Sequence, residues 1–373
     1  MKIAQIAPPW IAIPPKNYGG TEIVIYHLIE ELVTQGHDIT LFTTGDSKTS
    51  AHQVSFLPHT LTAEGVPWAA HPKAYYHLHE AIERIKEEAF DIVHSHLSAT
   101  TDMYIFPLTA DLATPHVTTL HNNFPFDIMP GRWAGDADKY YIQEWGANIP
   151  LVAISESARA QQPFKLNFAG VVHNGITMQN YRLRSKQRKD YFVWLGRFVP
   201  EKGTHLAIEA ARKAQVPLIL AGVRDRRDKE AMAYFHEQVE PYIDNDRIRF
   251  QGPVSMKQKI ALFSKAKALL NPIEWEEPFG IVMLEAMALG CPVISFARGG
   301  APEIVVHGKT GFLVQNVDEM VEYMPRIDEI DRAATRQHVE DNFSAHAMAK
   351  NYVRIYQQII DGTNKPLLTA FSR

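Results

Sequence analysis

The chain carries one cysteine, Cys291, so no internal disulfide is available and 373 residues must be held by packing alone. That thiol opens the apolar run CPVISF and reads as core rather than as a nucleophile, consistent with a reducing cytoplasmic setting. No apolar run approaches the ~20 residues of a membrane-spanning helix. A strongly basic amphipathic helix is lacking as well, so membrane association is not indicated. The start, MKIAQIAPPW, has a single basic residue and an apolar run broken by prolines, the pattern of a first strand rather than a targeting segment. A net charge of −4 lacks the basic excess of a nucleic-acid binder. There is no G-x-G-x-x-G, which disfavours a dinucleotide cofactor. Seventeen histidines are present, but without an HExxH or a Cys/His cluster, so no metal is expected.

What is present fits a globular protein, with 46% hydrophobic and 21% charged residues, too long for one core. KIAQIA predicts a strand, then a Pro/Gly-rich loop, the helix TEIVIYHLIEELVTQG stopped by Gly36, and the strand DITLFTT. This is the repeating unit of a parallel doubly wound sheet. Residues 46–70 read as irregular and 72–89 as an amphipathic helix. DIVHSH and PHVTTLHNNF read as strands, 135–147 as a helix, with Trp133 and Trp145 as core or rim. IPLVAIS, a helix at 155–162 and FAGVVHNGI complete the first half. The basic segment 181–189 reads as a linker between an N-terminal Rossmann-like domain, 1–180, and a C-terminal one, 190–343. The second half repeats the pattern as βαβαβαβαβ, and residues 317–342 and 344–361 read as helical.

Candidate site residues fall just past predicted strand ends, where open α/β sheets bind ligands. In the first half these are His96, His121, Asn122 and Asn123, with Gly19 and Gly20 ahead of the first helix. Trp10, His96, Asn122, Asn123 and Phe124 are candidates for an acceptor pocket. In the second half, Arg197 and Lys202 follow one strand and Gly222 the next. A guanidinium fork and a mobile ammonium suit a diphosphate. The stretch Ile273–Phe296, IEWEEPFGIVMLEAMALGCPVISF, predicts an acidic loop, then a helix from Gly280 to the stop at Gly290, then a buried strand. Glu277 on the loop and Glu285, eight residues on, lie about two helical turns apart. Each suits a vicinal pair of hydroxyls. Singly these are surface charges; together they fit a sugar nucleotide.

LGRFVPEKG, EEPFGIVMLEAMALGCPVIS, RGGAPEIVVHGKTGFLV and YGGTE resemble the retaining glycosyltransferases of family 4, over almost the whole chain. The resemblance implies a GT-B fold: two Rossmann-like doubly wound parallel sheets, the first domain binding the acceptor and the second a nucleotide-sugar. It maps Arg197 and Lys202 onto the donor diphosphate, Glu277 onto sugar hydroxyls and Glu285 onto the ribose. The amides around Phe279, Gly280, Ile281 and Val282 meet sugar and phosphates, Val254 meets the nucleobase, and Gly20 approaches the diphosphate. Gly222 joins the donor-binding set. His121 matches the family's active-site histidine, and the helix 344–361 its helix that returns to the first domain. Asn271-Pro272 stands where many members have Ser-Pro. The family's chemistry is transfer with retention and no obligatory metal. No first-half acid lies nearer downstream of His121 than Asp127, which favours a front-face route. A UDP-sugar is the expected donor, with GDP-mannose or an ADP-sugar behind it. The acceptor is left open among a sugar, a lipid-linked sugar and another small molecule, and so is the oligomeric state. A sugar-nucleotide epimerase, a phosphorylase on the same fold and a non-catalytic binder are the alternatives.

Overall fold

Short runs rich in Val, Ile, Leu and Phe form strands that a sheet covered on both sides buries. A computed structural model describes residues 1–16, 19–124, 126, 137–182, 189–226 and 228–362. The chain divides into two compact units, residues 1–175 with 345–373, and residues 176–344.

The first unit holds strands β1 (Lys2–Ile6), β2 (Asp38–Phe42), β3 (His52–Val54), β4 (Ile92–Leu97), β5 (His116–Leu120), β6 (Leu151–Ala153) and β7 (Phe168–Val171). They form one parallel sheet in the order β3-β2-β1-β4-β5-β6-β7. Helices Gly20–Thr34, Pro72–Glu87 and Ala345–Ile360 are its long helices. The last of these presses Ile355 against β7, where a Cβ on Gly170 would come within 2.9 Å of its Cδ1. One expectation fails here. β3 lies inside the stretch read as irregular; HQV is too short and polar to show period-two alternation and pairs only with β2. Helical turns at Thr100–Tyr104 and Ile105–Thr109 were also not anticipated. Of the helix expected at 135–147, residues 135 and 136 and Trp133 lie outside the described residues. Its remainder is Ala137–Tyr141 followed by a wider turn to Gly146.

The second unit holds β8 (Phe192–Arg197), β9 (Leu218–Val223), β10 (Ile248–Gly252), β11 (Leu269–Asn271), β12 (Val293–Phe296) and β13 (Gly311–Val314). Their order is β10-β9-β8-β11-β12-β13, again all parallel. The helical stretch expected at 317–342 is broken into Val317–Tyr323, a 3-10 turn Pro325–Glu329 and Arg332–Asn342. Asp331 starts the last piece, its Oδ1 accepting from the amides of Ala333 and Ala334. Tyr181, read as the start of a linker, is fully buried in this unit. Residues 183–188 of that segment lie outside the described residues.

Each sheet reverses its direction of growth once, between β1 and β4 and between β8 and β11. Ligands of open parallel sheets bind at the carboxyl ends of strands flanking such a point. Among the described residues no helix is long and apolar enough to cross a membrane.

Candidate active site

In the second unit, the reversal point lies between the ends of β8 and β11. The loop after β8 turns back through Pro200–Lys202, and Gly203, at φ +64, starts the next helix. A Cβ there would lie 1.8 Å from the Pro272 carbonyl oxygen, so this glycine lets the β8 loop sit directly on the loop after β11. The amide of Glu274 donates to Glu201 O at 2.9 Å across the same seam. The indole Nε1 of Trp194 donates to Lys202 O at 3.1 Å. The seam brings Lys202 Nζ to 2.6 Å from both carboxylate oxygens of Glu277. The two side chains are 15% and 19% exposed, so the pair is partly desolvated and less screened than a surface ion pair. Lys202 Nζ also lies 5.5 Å from the Trp275 ring centroid.

Arg197, the last residue of β8, is exposed and forms no ion pair among the described residues. Beside it, Gly196 pairs with Gly222 of β9. A Cβ on Gly222 would meet Gly196 O at 1.8 Å, so bare backbone lines this part of the edge.

The loop after β12 braces the acidic loop from behind. Arg298 Nη1 donates to Glu274 O at 2.8 Å, Gly299 N to Glu276 Oε2 at 2.7 Å, and Gly300 N to Glu277 O at 2.8 Å. The RGG run thus braces the acidic loop through the Arg298 guanidinium and two glycine amides, and Gly299 must be bare, since a Cβ there would sit 2.2 Å from Glu277 O. Gly280, at φ +96, then starts the short helix Ile281–Met287. Glu277 therefore stands on the loop rather than on the helix, so the two-turn spacing to Glu285 is not helical. Phe279 is buried, its ring 6.2 Å from that of Phe343. Ile281 and Val282 are half-buried, as is Val254 in the turn after β10.

Glu285 is buried and already has partners that the sequence did not reveal. Lys259 Nζ donates to its Oε1 at 2.6 Å and the Tyr181 hydroxyl to the same oxygen at 3.1 Å. Burial, then the Glu285 charge, pushes the Tyr181 phenol well above its ordinary value, so it stays a donor. Oε2 accepts from no described residue. Asn271, at the Ser-Pro position, donates through Nδ2 to Ser295 Oγ at 3.0 Å, linking β11 to β12.

In the first unit, Trp10 is buried, 1% exposed, with its Nε1 donating to Thr101 Oγ1 at 2.9 Å. Its ring stacks on Trp68, which is 54% exposed, at 4.3 Å; the surface aromatic is therefore Trp68. Asn122 Oδ1 accepts from the Asn123 amide at 2.9 Å, and Asn123 Oδ1 from Gln162 Nε2 at 3.0 Å, so both shape a loop after β5. His121, half-buried, follows β5 directly. His96 is buried behind it on β4, its Nδ1 3.0 Å from His121 Nε2. Phe124 is buried. Asp127 lies outside the described residues.

The glutamate of YGGTE, Glu22, is 5% exposed in the first turn of its helix. Burial, eased by its own amide and worsened by the Asp102 charge, raises its pKa from 4.5 to about 7. The fold holds a proton there that the unfolded chain releases above pH 4.5. No cost arises below that value; the cost grows through the window and is complete above pH 7. Its size is on the order of 3 kcal/mol. Glu22→Gln is therefore expected to stabilise the protein at about pH 8 and not at about pH 4 in urea unfolding. An equal change at both pH values would refute the buried-carboxyl account.

Gly20 differs from the close-packed glycines of the second unit: nothing lies within 4 Å of where its Cβ would be. The first unit does not itself require a glycine there. Among the described residues no group of three or more His, Cys, Asp or Glu is placed to hold a metal ion.

Two parallel sheets, each offering a ligand edge at its reversal point, with a cation and carboxylates on the second, define a glycosyltransferase of the GT-B type. The chain belongs to the family 4 glycosyltransferases: the family model described as Glycosyltransferase Family 4 matches residues 18–179, and that described as Glycosyl transferases group 1 matches residues 178–342. It transfers a sugar from a nucleotide-sugar donor. The Bacillus subtilis protein YtcC, whose own glycosyltransferase name is provisional, is 27% identical over 99% of this chain and 96% of its own length. Sucrose-phosphate synthase from Thermosynechococcus elongatus has the same fold, with a TM-score of 0.75 at 20% identity over 97% of this chain and 100% of its own. Anabaena HepE, solved in complex with UDP and glucose, matches with a TM-score of 0.69 at 17% identity, over 96% and 100%.

Proposed function

We propose that the protein is a retaining hexosyltransferase that takes its sugar from a UDP-sugar and hands it to an acceptor hydroxyl. The first unit binds the acceptor and the second the donor. The Lys202–Glu277 pair at the β8/β11 reversal point carries the reading, because it sets a cation and a hydroxyl acceptor side by side on the ligand edge. Arg197 and Lys202 take the donor diphosphate and stabilise the charge that grows on it as the glycosidic bond breaks. Glu277 accepts from sugar hydroxyls. Glu285 offers Oε2 to the ribose while Lys259 and Tyr181 hold Oε1. The backbone from Phe279 to Val282 meets sugar and phosphate, Val254 flanks the base, Gly222 keeps the edge low, and Gly20 lets a diphosphate approach the first unit's helix. His121 faces the transferred sugar. In this front-face route the departing phosphate takes the acceptor's proton, so no protein carboxylate need attack.

The choice of UDP is supported by HepE, solved with UDP and glucose; a starch synthase IV of Arabidopsis thaliana, solved with ADP and acarbose, keeps an ADP-sugar in view. A thermal-shift panel of UDP-, GDP- and ADP-sugars tests it. A ligand at 100 times its Kd adds ~2.7 kcal/mol, so the true donor's base class is expected to raise Tm by several degrees. A larger shift with GDP- or ADP-sugars would overturn the UDP assignment.

A further inference from the structure

The face of the first unit's sheet that receives helix Ala345–Ile360 is polar where an α/β core is ordinarily apolar. Gln5 of β1, His94 and His96 of β4 and Thr119 of β5 meet Tyr352 and Tyr356 of that helix, and every one of these side chains is buried. They form a single file of hydrogen bonds that ends at His121. Its links are His121 Nε2 to His96 Nδ1 at 3.0 Å and His96 Nε2 to Gln5 Oε1 at 2.9 Å. Gln5 Nε2 then reaches the Tyr356 hydroxyl at 3.3 Å, and that hydroxyl reaches His94 Nδ1 at 2.7 Å. His94 Nε2 meets Thr119 Oγ1 at 2.7 Å, and Thr119 Oγ1 meets the Tyr352 hydroxyl at 2.8 Å.

Burial lowers the pKa of all three imidazoles, that of His121 to about 3, so each is neutral, with one donor and one acceptor nitrogen. The direction of the file then follows by accounting. An amide oxygen only accepts, so His96 carries its proton on Nε2 and its Nδ1 accepts. His121 must therefore donate from Nε2. At the other side of Gln5, the Tyr356 hydroxyl accepts from the amide nitrogen, so its own proton goes to His94 Nδ1. His94 donates from Nε2 to Thr119. Every buried polar atom in the file is satisfied in this one direction, which is what makes such a network rigid. No described residue bonds His121 Nδ1.

We propose that Gln5, His96 and Tyr356 are positioning residues that keep the proton of His121 on Nε2, so that its Nδ1 lone pair is the atom left to accept from a hydroxyl of the bound sugar. His121 on this account is never an acid. The functional half rests on the reading that His121 faces the transferred sugar; the tautomer half does not.

Two measurements separate them. Nitrogen NMR of the whole protein labelled with 15N-histidine is expected to show His121 with Nε2 protonated and Nδ1 bare, unchanged between about pH 5.5 and 8. Tyr356→Phe, which deletes the two links made by that hydroxyl, is expected to mix the two forms of His121. A proton on Nδ1 in the wild type, the pattern that a reversed Gln5 amide would impose on the whole file, overturns the proposal, and so does titration within that range. In transfer assays, His121→Asn, whose side-chain oxygen stands near the place of Nδ1, is expected to retain about tenfold more kcat/KM than His121→Gln, whose amide stands near Nε2. Equal losses overturn the Nδ1 contact. Wild-type activity in both variants instead overturns the placement of His121 at the sugar, and the NMR result still decides the tautomer.

Discussion

Lys202→Ala is expected to lower kcat/KM roughly 10²–10³-fold, the usual effect of removing one charge stabiliser from a leaving group's site. The fold should lose less than about 2 kcal/mol, because Glu277, at 19% exposed, can turn to water once its partner is gone. Steady-state transfer assays beside urea unfolding of the same sample read both quantities. Arg197→Ala is expected to behave alike in rate and to leave stability within about 0.5 kcal/mol, since the exposed guanidinium has no ion pair among the described residues to lose. Near-normal transfer by both variants would remove the diphosphate assignment. A large loss of stability in Lys202→Ala with proportionate loss of active enzyme would make the pair structural.

Gly203→Ala is expected to cost more than about 3 kcal/mol. Two causes add. The residue sits at φ +64, and the new methyl would lie 1.8 Å from Pro272 O, a backbone atom that cannot move without parting the loops after β8 and β11. Gly20→Ala is the internal contrast. Its methyl enters open space, so urea unfolding should move by no more than about 0.5 kcal/mol. Transfer should nevertheless fall if a diphosphate needs bare backbone there. Tolerance of alanine at Gly203 would contradict the seam as described. Full activity in Gly20→Ala would contradict the approach of a phosphate to it.

These two glycines show where the sequence speaks and where it is silent. Both stand before helices in the sequence and look alike; only the three-dimensional neighbour, Pro272 in one case and open space in the other, tells structural need from ligand need. The two sheets were legible, because continuous apolar runs between helices of period 3.6 admit few other folds. The edge residues were legible too, since a strand followed by Arg, Lys or Glu locates itself. What was not legible is whatever closes over distance. Glu285 is held by Lys259, 26 residues away, and by Tyr181, 104 away, and neither spacing carries a signal. Gln5 and Tyr356 are 351 residues apart, so the file behind His121 was invisible, and His96 read as a crevice residue when it stands behind one. Trp10 misled for a related reason: its position after β1 is right, but burial hands the exposed surface to Trp68. Strand β3 escaped because three residues hold too little pattern to register.

The account depends most on the second unit's edge gripping a nucleotide by its diphosphate. Calorimetric titration of UDP into the wild type and into the Arg197→Ala, Lys202→Ala double variant tests this directly, with UMP as the ligand that lacks the second phosphate. The wild type is expected to bind UDP at least about tenfold more tightly than UMP, and the double variant to lose that difference, since each charge-assisted contact contributes roughly 1.5–3 kcal/mol. A double variant that binds UDP as tightly as the wild type would contradict it.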